Sequence, residues 1–158
     1  MDAVAKDGAA VRVPPPLSYL AVVGAGVGLH EFIWPLPIGL ARGPRVALAL
    51  LVALLGIAVA AAALRLFRVT GQNPKPWTAT PEVVRTGVYR FTRNPMYVAF
   101  SLLQMAIGIG FGNLWILLLV PLACVVVQIT AIRHEETYLE RKFGDAYLDY
   151  KKSVRRWF

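Results

Sequence analysis

The chain reads as an all-α integral membrane bundle of about four transmembrane helices. A polar loop and an amphipathic C-terminal helix gather at one end of it. Three observations predict this. Hydrophobic residues make up 57% of the 158 positions and charged residues 16%, far from a soluble protein's balance. The apolar residues fall in long runs. Leu17 to Leu40 carries only His30 and Glu31 as ionisable groups, Val46 to Leu64 carries none, and Tyr97 to Ile132 is uncharged for 36 residues, where one span needs about 20. Finally, the cations are lopsided. With four spans, the N-terminal arm, the 65–95 segment and the C-terminal tail share one side and hold 2, 6 and 7 Lys/Arg, while the opposite loops hold only Arg42 and Arg45. That asymmetry places both termini in the cytoplasm.

The elements follow in order within a single domain, 1–158. Residues 1–16 read as a flexible arm ending in Pro14-Pro15-Pro16, with no cleavable signal peptide evident. Residues 17–66 hold two spans, roughly 17–38 and 45–66. The first closes near Trp34-Pro35-Leu36-Pro37, where Trp suits the interface and the prolines stop the helix. The second is rich in Ala and Leu, good helix formers, and ends on Arg65 and Arg68, cations favoured at a helix C-terminus. Residues 67–95 form a cytoplasmic loop, unusually long for a structureless connection and expected to fold back over the bundle. Residues 96–132 make a helical hairpin, roughly 96–111 and 114–132, turning at Phe111-Gly112-Asn113. From 133 to 158 an amphipathic helix is expected, with Leu139, Phe143 and Tyr147 as its apolar stripe.

Several function classes are excluded on these grounds. The net charge of +8 does not point to nucleic acid, since no recognition fold accompanies it. Cys124 is the sole cysteine, so no disulfide or cysteine-rich zinc site can form within one chain, and no metal is expected. Gly24-Ala-Gly26-Val-Gly28 imitates a dinucleotide fingerprint but lacks the βαβ unit that gives it meaning. Close helix packing in lipid explains the small residues better. His30 and Glu31 are intramembrane by position, yet within reach of the outer interface.

Two constellations carry chemistry. One is Tyr89, Arg90, Arg93, Asn94 and Tyr97, a polar cassette where lipid tails begin. Pro95 suits the first turn of a helix. Asn94 then either caps that helix or presents its amide to a ligand. The free N–H groups there can receive a carboxylate or hydroxyl, although capping and headgroup anchoring would explain the same residues. The other is Arg133, His134, Glu135 and Glu136. Arg133 and Glu136, three apart, can pair on one face. Glu135 is then left to accept hydrogen bonds from a ligand hydroxyl or ammonium, unless the run is simply solvated.

Taken together, Gly87-Val-Tyr89, Arg93-Asn-Pro-Met-Tyr97, Glu135-Glu136 and Phe143-Gly-Asp-Ala-Tyr147 resemble the isoprenylcysteine carboxyl methyltransferase family and its relatives, the phospholipid methyltransferases. The resemblance covers roughly 80–158, and the order and spacing of the motifs make it specific. It implies an S-adenosylmethionine-dependent methyltransferase with a helical membrane fold and a cytoplasm-facing cofactor pocket. It implies cofactor contacts at Pro81, Glu82, Val83, Val84, Tyr89, Asn94, Pro95, Met96, Tyr97 and Glu135. Arg93, Arg133 and Glu135 are the expected catalytic residues, with Arg133 on a cationic rim for a substrate carboxylate. Asn94 departs from the family, which usually has His there, and Asn cannot act as a titrating base.

The acceptor implied is lipophilic, a prenylated or other small compound entering from the bilayer, most like the substrate of carboxyl methylation. A phospholipid amine acceptor is the alternative within the class. A non-enzymatic protein binding lipids or a partner through its basic face is the alternative outside it. A transporter would need polar groups along several spans, whereas here they cluster at one end. The high alanine content and the lack of eukaryotic sorting signals lean toward a bacterial inner membrane.

Overall fold

A computed structural model describes residues 8–11 and 13–157. The architecture is helical, with no strand among the described residues. Helix α1 (Pro15–Gly28) continues through a π-helical turn at Leu29–Ile33, and α2 spans Arg42–Val69. Next come a 3-10 turn at Gly87–Arg90, α3 (Pro95–Phe111), α4 (Leu114–Leu118) and α5 (Val120–Val127). A second π-helical stretch, Gln128–Ile132, leads into α6 (Arg133–Phe143), and α7 is Asp145–Ser153. Residues 15–33, 42–69 and 114–143 are each long and apolar enough to cross a membrane, and α3 is a shorter apolar helix. The protein is therefore a helical membrane bundle.

Helix α3 is the axis of the molecule. It packs most extensively on α2 and also touches α1, α4 and α5. Its seam with α2 is built on Ala49, Gly56 and Ala63, seven residues apart and buried, small side chains that let two backbones approach in lipid. Lipid is as apolar as leucine, so α2 leaves Leu50, Leu51, Leu54 and Leu55 exposed at no penalty. Buried Gln104 joins α3 to α4 by donating to the Ile116 carbonyl at 3.0 Å. Such bonds average about 0.6 kcal/mol in membranes, so packing carries the bundle.

Among the small residues of α1, Gly26 alone has a packing role. A Cβ there would lie 2.8 Å from Ile116 Cγ1, whereas Gly24 and Gly28 face open space. Its carbonyl accepts from Asn113 Nδ2 at 3.1 Å.

Two expectations are corrected. Residues 114–143 run as one continuous helix, so the membrane span and the start of the amphipathic segment are not separate elements. The amphipathic helix over 133–158 is interrupted at Gly144, whose φ of +52° lies where L side chains are strained. The stripe Leu139, Phe143 and Tyr147 survives the break, because all three pack on one cluster with Tyr89 and Tyr150. The flexible arm expected over 1–16 lies partly outside the described residues. Within them, Ala9 and Val11 are buried, the Ala9 amide donates to the Pro76 carbonyl at 3.1 Å, and helix begins already at Pro15.

Candidate functional site

Both ends of the sequence converge where α2 finishes and α3 begins. The 70–94 segment folds back over this basic end. It is held there by Tyr138, whose hydroxyl accepts from the Thr80 amide at 3.1 Å, and by the Tyr89 carbonyl, which accepts from the Tyr150 hydroxyl at 2.7 Å. The last residues lie as an extended strap beside the start of α3. The Arg156 carbonyl accepts from Thr92 Oγ1 at 2.9 Å and from Asn94 Nδ2 at 3.0 Å. The Arg155 carbonyl accepts from the Arg93 amide at 3.0 Å. Asn94 thus occupies the N-cap position of α3 without capping it, and its amide secures the tail.

These segments enclose a cavity of about 470 Å³, within the roughly 300–1,000 Å³ of small-molecule sites. Glu82, Val83, Val84, Tyr89, Arg93, Asn94, Pro95, Met96, Tyr97 and Glu135 all line it. Pro81 and Arg133 do not, and Arg133 is exposed on the outer side of its helix. The sequence reading missed other walls: Phe67 from α2, Phe100 from α3, Tyr147 and Tyr150 from α7, and the Asn73–Trp77 stretch. The proline and tryptophan content of that stretch was a signal of a fixed loop, but nothing in it specified a cavity wall.

Two neighbouring acids have opposite surroundings. Glu136 is saturated. Arg156 grips it with a fork, Nε to Oε1 at 3.0 Å and Nη2 to Oε2 at 2.7 Å, while Arg93 Nη2 stands 3.4 Å from Oε1. The expected Arg133–Glu136 pair is therefore replaced by one with a residue twenty positions on, which no local spacing rule could reveal. Glu135 accepts from the Tyr97 hydroxyl and faces the cavity. Helix α3 is itself steadied at this point by Tyr19 of α1, whose hydroxyl donates to the Tyr97 carbonyl at 2.9 Å.

Arg93 is the anomaly. Its side chain is 8% exposed, yet Nε and Nη1 are buried without partners. A buried unpaired donor costs about 1–3 kcal/mol, more for a charged group. A ligand oxygen entering the cavity would relieve that cost. Around it the phenols stay neutral. Burial pushes the Tyr89 hydroxyl well up, reinforced by Tyr150 and Glu135. Burial likewise raises Tyr150 to about 12, although Arg93 and Arg85 pull it down. The hydrogen bond from Glu136 raises the Arg156 guanidinium, so that fork stays charged.

Fold and site together define an integral membrane protein with an aromatic and ionic cavity closed over one end of its bundle. Residues 44–146 match the sequence model of the phospholipid methyltransferase family, and the chain belongs to that family. It is similar to an uncharacterized protein of Haemophilus influenzae, 44% identical over 62 residues, 39% of this chain and 98% of that one. It is also similar to the protein-S-isoprenylcysteine O-methyltransferase of Schizosaccharomyces pombe, 35% identical over 72 residues, 46% of this chain and 30% of that one. The chain thus spans less than a third of the length of the yeast enzyme.

Proposed function

We propose that this protein transfers a methyl group from S-adenosylmethionine to a lipophilic acceptor, most like carboxyl methylation of an isoprenylcysteine. We place its basic end and both termini in the cytoplasm of a bacterium, with the bundle in the inner membrane. One observation carries the reading: two clusters nearly forty residues apart meet at one cavity wall, where the Tyr97 hydroxyl donates to Glu135. The cavity suits the cofactor in chemistry as well as size. Glu135 would hold the ribose diol or the ammonium. Arg93, with two donors unpaired, would hold a carboxylate. The faces of Tyr89 and Tyr97 would attract the sulfonium, an interaction worth about 0.5–2 kcal/mol.

When bound, S-adenosylmethionine supplies an electrophilic methyl group; its carbon bonds to the acceptor heteroatom as the carbon–sulfur bond breaks, leaving a neutral thioether. The residues of this chain position the reactants and exclude water, the contributions that matter most in a displacement. A carboxylate acceptor is already ionised and needs no base, which accords with Asn94 standing where a titrating residue is usual. Arg93 serves this acceptor too, as the buried cation nearest to hand.

Radiolabelled methyl transfer into a bacterial lipid extract tests the reading. Label released by mild alkali as methanol marks a carboxyl ester. Alkali-stable label marks the phospholipid amine instead, the acceptor that the family match favours. Folded protein that gives no heat with S-adenosylmethionine or its demethylated product overturns the enzyme reading and leaves a lipid- or partner-binding protein.

A further inference from the structure

A second recess opens in the other half of the bundle, between α2 and α3. It has about 500 Å³ and is lined only by Val46, Ala49, Leu50, Ala53, Leu103, Ala106, Ile107, Gly110 and Phe111. Helical geometry relates it to the first cavity. Leu64 and Phe67 of α2 and Met96 and Phe100 of α3 line the polar cavity. Counting back from Leu64 in steps of three or four gives Ala60, Ile57, Ala53 and Leu50, the same face of α2. Counting on from Phe100 gives Leu103 and Ile107, the same face of α3. The two spaces are therefore the ends of one groove along the α2–α3 seam. From Leu64 to Ala53 it runs eleven residues, about 16 Å, or roughly half the hydrocarbon thickness of a bilayer.

We infer that this groove holds the hydrocarbon tail of the methyl acceptor and that the recess at Ala53 sets how long a tail is accepted. The inference rests on the methyltransferase reading. Apolar attraction alone cannot carry it, because bulk lipid is as apolar as the groove. Continuity carries it. A head group fixed beside Arg93 and Glu135 leaves its tail at Phe67 and Phe100, at the mouth of the groove. The small side chains Ala53, Ala106 and Gly110 hollow the far end, whereas Leu51, Leu54 and Leu55, off this face, stand exposed. The occupant is a long-chain acid or isoprenoid rather than a short or branched solute.

The test uses the full-length protein in nanodiscs with two photoprobes, palmitic acid and octanoic acid, each bearing a diazirine at the chain end. Labelled residues are read by mass spectrometry. The octanoic probe should mark Leu64 and Phe100, and the palmitic probe Ala53, Leu103 and Ile107. Ala53→Phe should move the palmitic label back by about one turn, 5.4 Å, and leave S-adenosylmethionine binding unchanged. Leu54→Phe should move nothing. A phospholipid with the same diazirine at its chain ends, acting as bulk lipid, should label Leu51, Leu54 and Leu55 as readily as the groove. Wild-type protein that binds S-adenosylmethionine yet gives both fatty-acid probes that same even pattern overturns the groove alone. Protein that labels in register but binds no S-adenosylmethionine overturns the methyl-transfer reading instead.

Discussion

The two ends of the bundle use polar side chains differently. At the end away from the cavity they close on backbone. Trp115 Nε1 donates to the Trp34 carbonyl at 2.8 Å, Asn113 bridges the Gly26 carbonyl and the Ile116 amide, and His30 Nδ1 accepts from the Leu36 amide at 3.2 Å. These bonds tie the loop after α1 to the turn before α4, and no polar cavity adjoins them. Arg45 Nε has no partner there, but it borders neither cavity. At the basic end the groups divide. Glu136, Arg156, Thr92 and Asn94 serve the fold, while Glu135 and Arg93 keep capacity turned toward an enclosed space. Polar residues with unused capacity inside a cavity mark a site, and polar residues closed on backbone mark a joint.

Breaking the joint at the basic end should have the largest effect. Glu136→Ala leaves the Arg93 and Arg156 guanidinium groups facing each other with their shared carboxylate gone. The cost should approach the roughly 3–5 kcal/mol of a broken buried pair, read as a lower thermal midpoint in detergent. Glu136→Gln should recover part of it. Glu135→Ala should leave that midpoint nearly unchanged and weaken S-adenosylmethionine binding about 10–100-fold by calorimetry, since hydrogen bonds to charged groups contribute about 1.5–3 kcal/mol. If the two variants exchange phenotypes, the division between joint and site is drawn in the wrong place.

Arg93→Met sharpens it further. Glu136 keeps the Arg156 fork, so stability should hold or rise slightly as two unpaired buried donors disappear. Ligand affinity should fall about tenfold, the lower end of a charged hydrogen bond. A stability loss as large as that of Glu136→Ala would make Arg93 a structural cation.

Much of this was legible in the sequence. Uncharged runs and cation asymmetry gave the helices, because the bilayer leaves few alternatives for the backbone. The Arg93–Tyr97 and Glu135–Glu136 motifs sit at helix starts and ends, so their convergence on one face of the membrane followed from counting spans. The partnership of Arg156 with Glu136 was not legible, since it depends on Gly144 turning the chain back toward the cavity. Nor was the inward face of Phe67 and Phe100, because in lipid an apolar residue carries no sign of which way it points. The role given to Arg133 failed for a related reason. Adjacent charges on a helix point in different directions, and the π-helical stretch at Gln128–Ile132, which sequence does not announce, shifts the facing of everything after it.

The smallest effect is expected at Glu31. It lies in the π-helical turn after α1, exposed and a full bundle length from the cavity. Intramembrane acids are functional suspects by default, but Glu31 is only three residues before Trp34 and borders neither cavity. Its carboxylate can reach interfacial water by a rotamer change. Glu31→Ala should therefore alter S-adenosylmethionine affinity and thermal midpoint by no more than the roughly 0.5 kcal/mol of an ordinary surface substitution. An affinity loss matching that of Glu135→Ala would mean that the two ends are coupled through α1, whose Tyr19 holds the carbonyl of Tyr97, and that the far end is part of the site.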